Sequence, residues 1–221
     1  MKRLTADIKR VTEFVTELGE LTAAMLEGAV DALVNSDVNL ADEVVGKYER
    51  AAYLEALIED EALRILTLYQ PMAADMRFTA TALKMITYLE RISKYSRNIA
   101  KAAIYLRDRP TTYKMIEVYE MCGIAVEMVR GVVSAFESGN VKELYDYNLL
   151  DDRLDHFRGN VIEDNIRHMA ADPTAIEAYT YYISVAKYLE RVGDNACKIA
   201  EKIIYMVTGR HIEVEKRSGR L

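Results

Sequence analysis

Residues 88–92 read Tyr88-Leu89-Glu90-Arg91-Ile92, and residues 188–192 read Tyr188-Leu189-Glu190-Arg191-Val192. The copies lie 100 positions apart, and the agreement resumes at Ile99-Ala100 and Ile199-Ala200. A repeat of that length is a whole subdomain, so the chain reads as one helical unit used twice. After the shared Leu-Glu-Arg the copies diverge: the first continues Ser93-Lys94, the second Gly193-Asp194. Glu90 and Lys94 therefore have the spacing of a helical ion pair, whereas Glu190 and Asp194 form an acidic pair on one helix face.

Working outward, the apolar residues follow a helical period. The seam Phe78, Ala82, Met85, Leu89, Ile92, Ser96, Ile99, Ala103, Leu106 returns 100 positions later as Tyr182, Val185, Leu189, Val192, Ala196, Ile199, Ile203, Met206, over most of its length. A first helix carries Ile8, Val11, Val15, Leu18, Met25 and Ala29, and Asn35-Ser36-Asp37 breaks it, with Asn39 expected to cap the next. Pro71 ends that second helix. Arg107-Asp108-Arg109-Pro110 reads as a linker, a fourth helix is expected from about Thr112 to Phe136, and Gly139-Asn140 stops it. The fifth helix is expected to end near Met169, Asp172-Pro173 turns the chain, and Gly209 closes the sixth. The expected fold is all-α, two tandem three-helix bundles of long antiparallel helices. Their expected bounds are 1–109 and 110–210, followed by a polar tail at 211–221.

The bulk numbers fit this. Half of the 221 residues are hydrophobic and there are only 10 Gly and 3 Pro, a soluble, mostly helical composition. A net charge of −6 argues against nucleic-acid binding and suits a site for cations better. No apolar run is long enough to span a membrane, and no export signal follows Met1-Lys2-Arg3, so a cytoplasmic location is expected. Cys122 and Cys197 match no zinc or redox spacing and read as small buried residues.

The turn between the fifth and sixth helices is centred between Asp172 and Pro173. Asp155 and Glu190 are equidistant from it, as are Asp151 and Asp194, so an antiparallel hairpin brings each pair to one level. Both acidic pairs also have i, i+4 spacing. Whether they point at each other depends on helix rotation, which spacing does not fix. Acidic pairs with this spacing also occur at Glu13/Glu17 and Glu55/Glu59, where a solvated face is the plain reading. Lys198 could answer Asp194 with a surface salt bridge. Four converging carboxylates would otherwise repel until protons or a cation neutralise them. All-oxygen ligation suits hard cations, iron or manganese. The matching positions of the first half are Tyr48, Ala52, Glu90 and Lys94, so no metal is expected there and a Glu90–Lys94 contact is.

Two stretches, Tyr188-Leu-Glu-Arg-Val-Gly-Asp-Asn-Ala-Cys-Lys-Ile-Ala-Glu201 and Gln70-Pro71-Met-Ala-Ala-Asp75-Met-Arg77, closely resemble the phosphate-uptake regulator (PhoU) family, and the likeness covers nearly the whole chain. The resemblance implies two three-helix bundles and a non-catalytic regulator that couples a phosphate ABC transporter, through its ATPase subunit, to a sensor histidine kinase. It also implies a divalent or multinuclear metal, iron or zinc first and magnesium or manganese after them, held by Asp151, Asp155, Glu190 and Asp194 in the second bundle only. Tyr48, Ala52 and Lys94 depart from the family's pattern of one metal set per bundle, and Lys198 replaces an Asn that the first copy keeps as Asn98. A homodimer is a further expectation, with no nucleic acid and no membrane insertion.

Two other readings compete. One is a metal-free helical adaptor that regulates another ion transporter. The other is a carboxylate-bridged metalloenzyme, whose Glu-x-x-His motif is absent: Arg153, Asn165 and Thr208 stand three residues before His156, His168 and His211.

Overall fold

The computed structural model describes residues 2–109 and 113–214. Six helices carry the chain: α1 Lys2–Asn35, α2 Val38–Tyr69, α3 Ala74–Leu106, α4 Ile116–Ser138, α5 Tyr147–Ala171 and α6 Ile176–Thr208. Among the described residues there is no strand. α1, α2 and α3 pack on one another as a first bundle, and α4, α5 and α6 as a second. The bundles join along α1 against α4 and α3 against α6. The inner helices thus form a closed ring of four, α1–α3–α6–α4, with α2 outside the first pair and α5 outside the second.

Each boundary has a local cause. Ser36 adopts φ 54°, and the Asp37 carboxylate then accepts from Leu40 N at 3.1 Å. Asp37 is therefore the N-cap of α2, not the expected Asn39, which lies one turn-position inside. Both residues can cap; the left-handed Ser36 delivers Asp37 to the orphan N–H groups first. Gln70, also left-handed at φ 45°, stops α2 ahead of Pro71. Gly139 and Gly209 both close their helices at φ 71°, their N–H groups bonding Ala135 O and Tyr205 O, a conformation glycine adopts without a Cβ clash. α4 begins at Ile116; the expected start at Thr112 lies outside the described residues. α5 has 25 residues against 33 in α6, because Glu143–Asp146 form a tight 3-10 turn before it.

The seams read from the sequence are the core. Val11, Val15, Leu18, Met25 and Ala29 of α1 are fully buried, and so are Leu89 and Leu189. Each buried leucine is worth roughly 1.5–3 kcal/mol of transfer free energy. The repeat therefore predicts equivalent environments at its identical positions: Leu89 and Leu189, Ile99 and Ile199, and Ala100 and Ala200 are all fully buried.

How the bundles meet is new. Arg77 Nε donates to Met206 O (3.0 Å), the Thr81 hydroxyl donates to Lys202 O (3.3 Å), and Tyr95 stacks on Tyr188 at 5.6 Å between ring centroids. α3 and α6 thus run antiparallel, with Arg91 and Ile92 level with Arg191 and Val192. α1 and α4 are antiparallel too, since a Cβ on Gly19 would meet Val133 while Cys122 approaches Leu26 O. An approximate twofold axis relates the bundles.

Candidate functional site

The α5–α6 hairpin places the acidic residues. Its turn is self-made: the Asp172 carboxylate accepts from Thr174 N at 3.1 Å and from the Thr174 hydroxyl at 2.6 Å, and Pro173 opens a 3-10 turn. From there the helices run side by side in the register expected from the turn. Asp151 packs against α6 at Gly193, where a Cβ would lie 3.0 Å from Asp151 Oδ1 and 2.4 Å from Leu154 Cδ1. A glycine there lets the Leu154 and Asp151 side chains of α5 lie directly on the α6 backbone.

Asp151 is 2% exposed. Glu190 and Asp194 are half-buried on α6, and Asp155 is half-buried on α5, with Arg158 Nε 3.7 Å from its carboxylate. Lys198 does not answer Asp194 as a salt bridge; its ammonium reaches Glu201 at 2.8 Å instead, and that partner raises its pKa. His156 is exposed. The hairpin brings Asp151, Asp155, Glu190 and Asp194 to one region, yet among the described residues no three His, Cys, Asp or Glu side chains stand together as a metal-holding group. The donors are of the right type for a hard cation; as arranged, they do not make a ligand cage.

The first bundle corrects one expectation. Glu90 accepts a short hydrogen bond from the Tyr48 hydroxyl, and the Arg97 guanidinium lies 3.8 Å over the Tyr48 ring. Lys94 is exposed, and no Glu90–Lys94 ion pair forms within 4 Å. The reason is physical: a hydrogen bond to a charged acceptor contributes about 1.5–3 kcal/mol, whereas an exposed i, i+4 ion pair contributes about 0.3–0.5 kcal/mol. Glu90 therefore turns inward to α2. The carboxylate it presents there raises the Tyr48 pKa. Burial, and then Glu90 and Glu59, raise that of the neighbouring Glu55.

Sequence reasoning missed the clefts. One of about 350 Å³ lies between α4 and the start of α5, lined by Glu127, Gly131, Glu143, Asp146, Tyr147 and Leu150 among others. Another of about 360 Å³ spans α1 and α4, with Glu27, Asp31, Cys122 and Arg130. Neither includes the hairpin carboxylates, and the only hint of them in the sequence is the pair Gly123 and Gly131 within α4. Cys122 lines the second cleft, but burial pushes its thiol pKa up to about 12, so it is a packing residue and not a nucleophile.

The PhoU domain model matches this chain twice, over residues 15–103 and 118–203. The chain belongs to the PhoU family. A phosphate-specific transport system accessory protein PhoU homolog of Caulobacter vibrioides is 30% identical over 98% of this chain and 94% of its own length. One of Zymomonas mobilis is 30% identical over 100% and 93% respectively. The crystal structure of PhoU from Pseudomonas aeruginosa superposes with a TM-score of 0.89 at 28% identity, covering 93% of this chain and 99% of that one. The phosphate transport system regulatory protein PhoU from Streptococcus pneumoniae shares the fold, with a TM-score of 0.86 at 22% identity. The two PhoU domains coincide with the two bundles.

Proposed function

We propose that this PhoU-family chain is a non-catalytic, cytoplasmic accessory protein of a phosphate transport system. In this reading it damps uptake and the starvation response when phosphate is plentiful, by contacting the ATPase subunit of a phosphate ABC transporter and a sensor histidine kinase. The observation that carries the reading is the whole-length match to accessory proteins of phosphate-specific transport. It is supported by the absence, among the described residues, of any helix long and apolar enough to cross a membrane: a transport function then requires membrane partners. Deleting the gene should raise phosphate uptake and derepress phosphate-responsive transcription in phosphate-rich medium. Unchanged uptake and transcription would remove this reading and favour regulation of another ion transporter.

A second reading concerns the acidic hairpin. We propose that Asp151, Asp155, Glu190 and Asp194 close around a metal, iron or zinc by family resemblance, which would draw the four side chains together. The two i, i+4 acidic pairs on facing helices of one hairpin support this; the ungathered arrangement seen here counts against a preformed cage. The expected result is metal in protein purified without chelators, lost in Asp194→Lys with helicity intact. Unchanged stoichiometry in that variant would sink the assignment.

A further inference from the structure

On α3 the exposed cations Lys84, Arg91, Lys94 and Lys101 are spaced seven, three and seven residues apart, so they share one face. On α6 the exposed Lys187 and Arg191 are one turn apart. The antiparallel packing merges the two rows: Tyr95, beside Lys94, stacks on Tyr188, beside Lys187, and Arg91 lies 5.8 Å from the Tyr88 ring. Arg91, Lys94, Lys187 and Arg191 thus cluster at the approximate twofold axis. None of the six cations forms a salt bridge within 4 Å among the described residues, although the chain as a whole carries −6. The nearest carboxylates of α3 and α6, Glu90, Glu190 and Asp194, are half-buried, and Glu90 is turned away by Tyr48. Farther along, Lys198 and Lys202 are balanced by Glu201.

Across the ring the charge inverts. The α1/α4 face gathers Glu20, Glu27, Asp31 and Glu127 around Arg130, which Glu27 and Glu20 hold. The molecule is therefore polarised, with one face cationic and the opposite face anionic.

We propose that the α3/α6 face docks electrostatically on an anionic phospholipid surface. Three features select lipid over an acidic protein. A protein interface is anchored by large side chains that fill a partner's pockets; here Tyr88, Tyr95 and Tyr188 are half-buried, and the exposed large apolar residues of α3 and α6, Met76, Ile176 and Val207, stand at the helix ends, away from the cluster. Three described clefts lie on other faces and the fourth sits past the helix ends at Arg109, Asp172 and Glu177, so none opens at the Arg91–Arg191 cluster. Lysine and arginine spread on a flat face, with polarity that orients the molecule, suit a diffuse layer of headgroups. With no large exposed apolar side chain at the cluster itself, this is adsorption without insertion.

The inference rests on the electrostatics of the face and not on the transport reading. The test is co-sedimentation of the full chain with phosphatidylcholine vesicles, with and without phosphatidylglycerol. Binding is expected only with phosphatidylglycerol, and should fade as salt rises toward 0.5 M. Each Lys or Arg near such a surface changes partitioning on the order of fivefold, so R91E/K94E/K187E/R191E should lower it at least ~100-fold. The scattered variant K9E/K47E/K114E/K142E makes the same change in net charge and should retain most binding. Circular dichroism on both variants checks folding. No binding of wild type to phosphatidylglycerol vesicles at low salt would overturn the proposal, as would equal loss in the two variants. So would capture by polyglutamate without capture by vesicles, which would redirect the face to an acidic protein.

Discussion

Tyr48 and its counterpart show what a single substitution does inside a repeat. Where the second bundle has Asp on the outer helix of its hairpin, the first has a phenol that donates to Glu90 and carries Arg97 on its ring. Tyr48→Phe keeps the ring and its cation contact but removes the hydrogen bond to a charged acceptor. The site is half-buried, so the loss is expected to be about 1–2 kcal/mol, read from the denaturation midpoint. Lys94→Ala should cost less than about 0.5 kcal/mol, because its ammonium makes no ion pair with Glu90. A larger effect from Lys94 than from Tyr48 would mean that the Glu90–Lys94 pair dominates in solution. The expectation of that pair came from weighing partners only within one helix. A tyrosine on the neighbouring helix, 42 residues away, leaves no periodic trace that would announce it as the stronger partner.

At the scale of elements, glycines sort the close helix contacts from the loose ones. A Cβ on Gly131 would fall 2.1 Å from the Tyr147 hydroxyl, whose ring is buried and tied to Met128 O at 3.0 Å. A Cβ on Gly193 would meet the flexible tip of Leu154 at 2.4 Å. Gly46 and Gly159, both inside helices, have nothing within 4 Å. Gly131→Ala is therefore expected to destabilise by about 1–3 kcal/mol through overpacking, Gly193→Ala by less because Leu154 can move aside, and Gly46→Ala and Gly159→Ala to stabilise by about 0.5–1 kcal/mol. Thermal melts of the four variants check the ranking. The periodicity of the seams and the breaks at Pro71, Gly139 and Asp172-Pro173 made the helices legible. One end slipped where two chemistries were equally available, as with Asp37 against Asn39.

For the whole molecule, the sequence carried the duplication and the hairpin register, since both follow from distances along the chain. It did not carry the docking of one bundle on the other. The Tyr95–Tyr188 and Tyr105–Tyr181 stacks join helices about 75–95 residues apart, and their residues look like ordinary half-apolar helix positions. The candidate carboxylates were legible as a level on a hairpin. Their side-chain rotations were not, and those rotations decide whether four acids gather.

The antiparallel meeting of α3 and α6 has the geometry of a self-complementary dimer contact, written here within one polypeptide. Between two identical subunits, every amino-acid change is made on both sides at once. A lysine at the level of Lys94 would then arrive together with its twin, and no acidic hairpin would survive it. Joining the halves covalently lifts that constraint. Lys94 can add positive charge beside the axis while Asp194, its counterpart 100 residues on, stays acidic, so one ancestral surface can be assigned two different jobs.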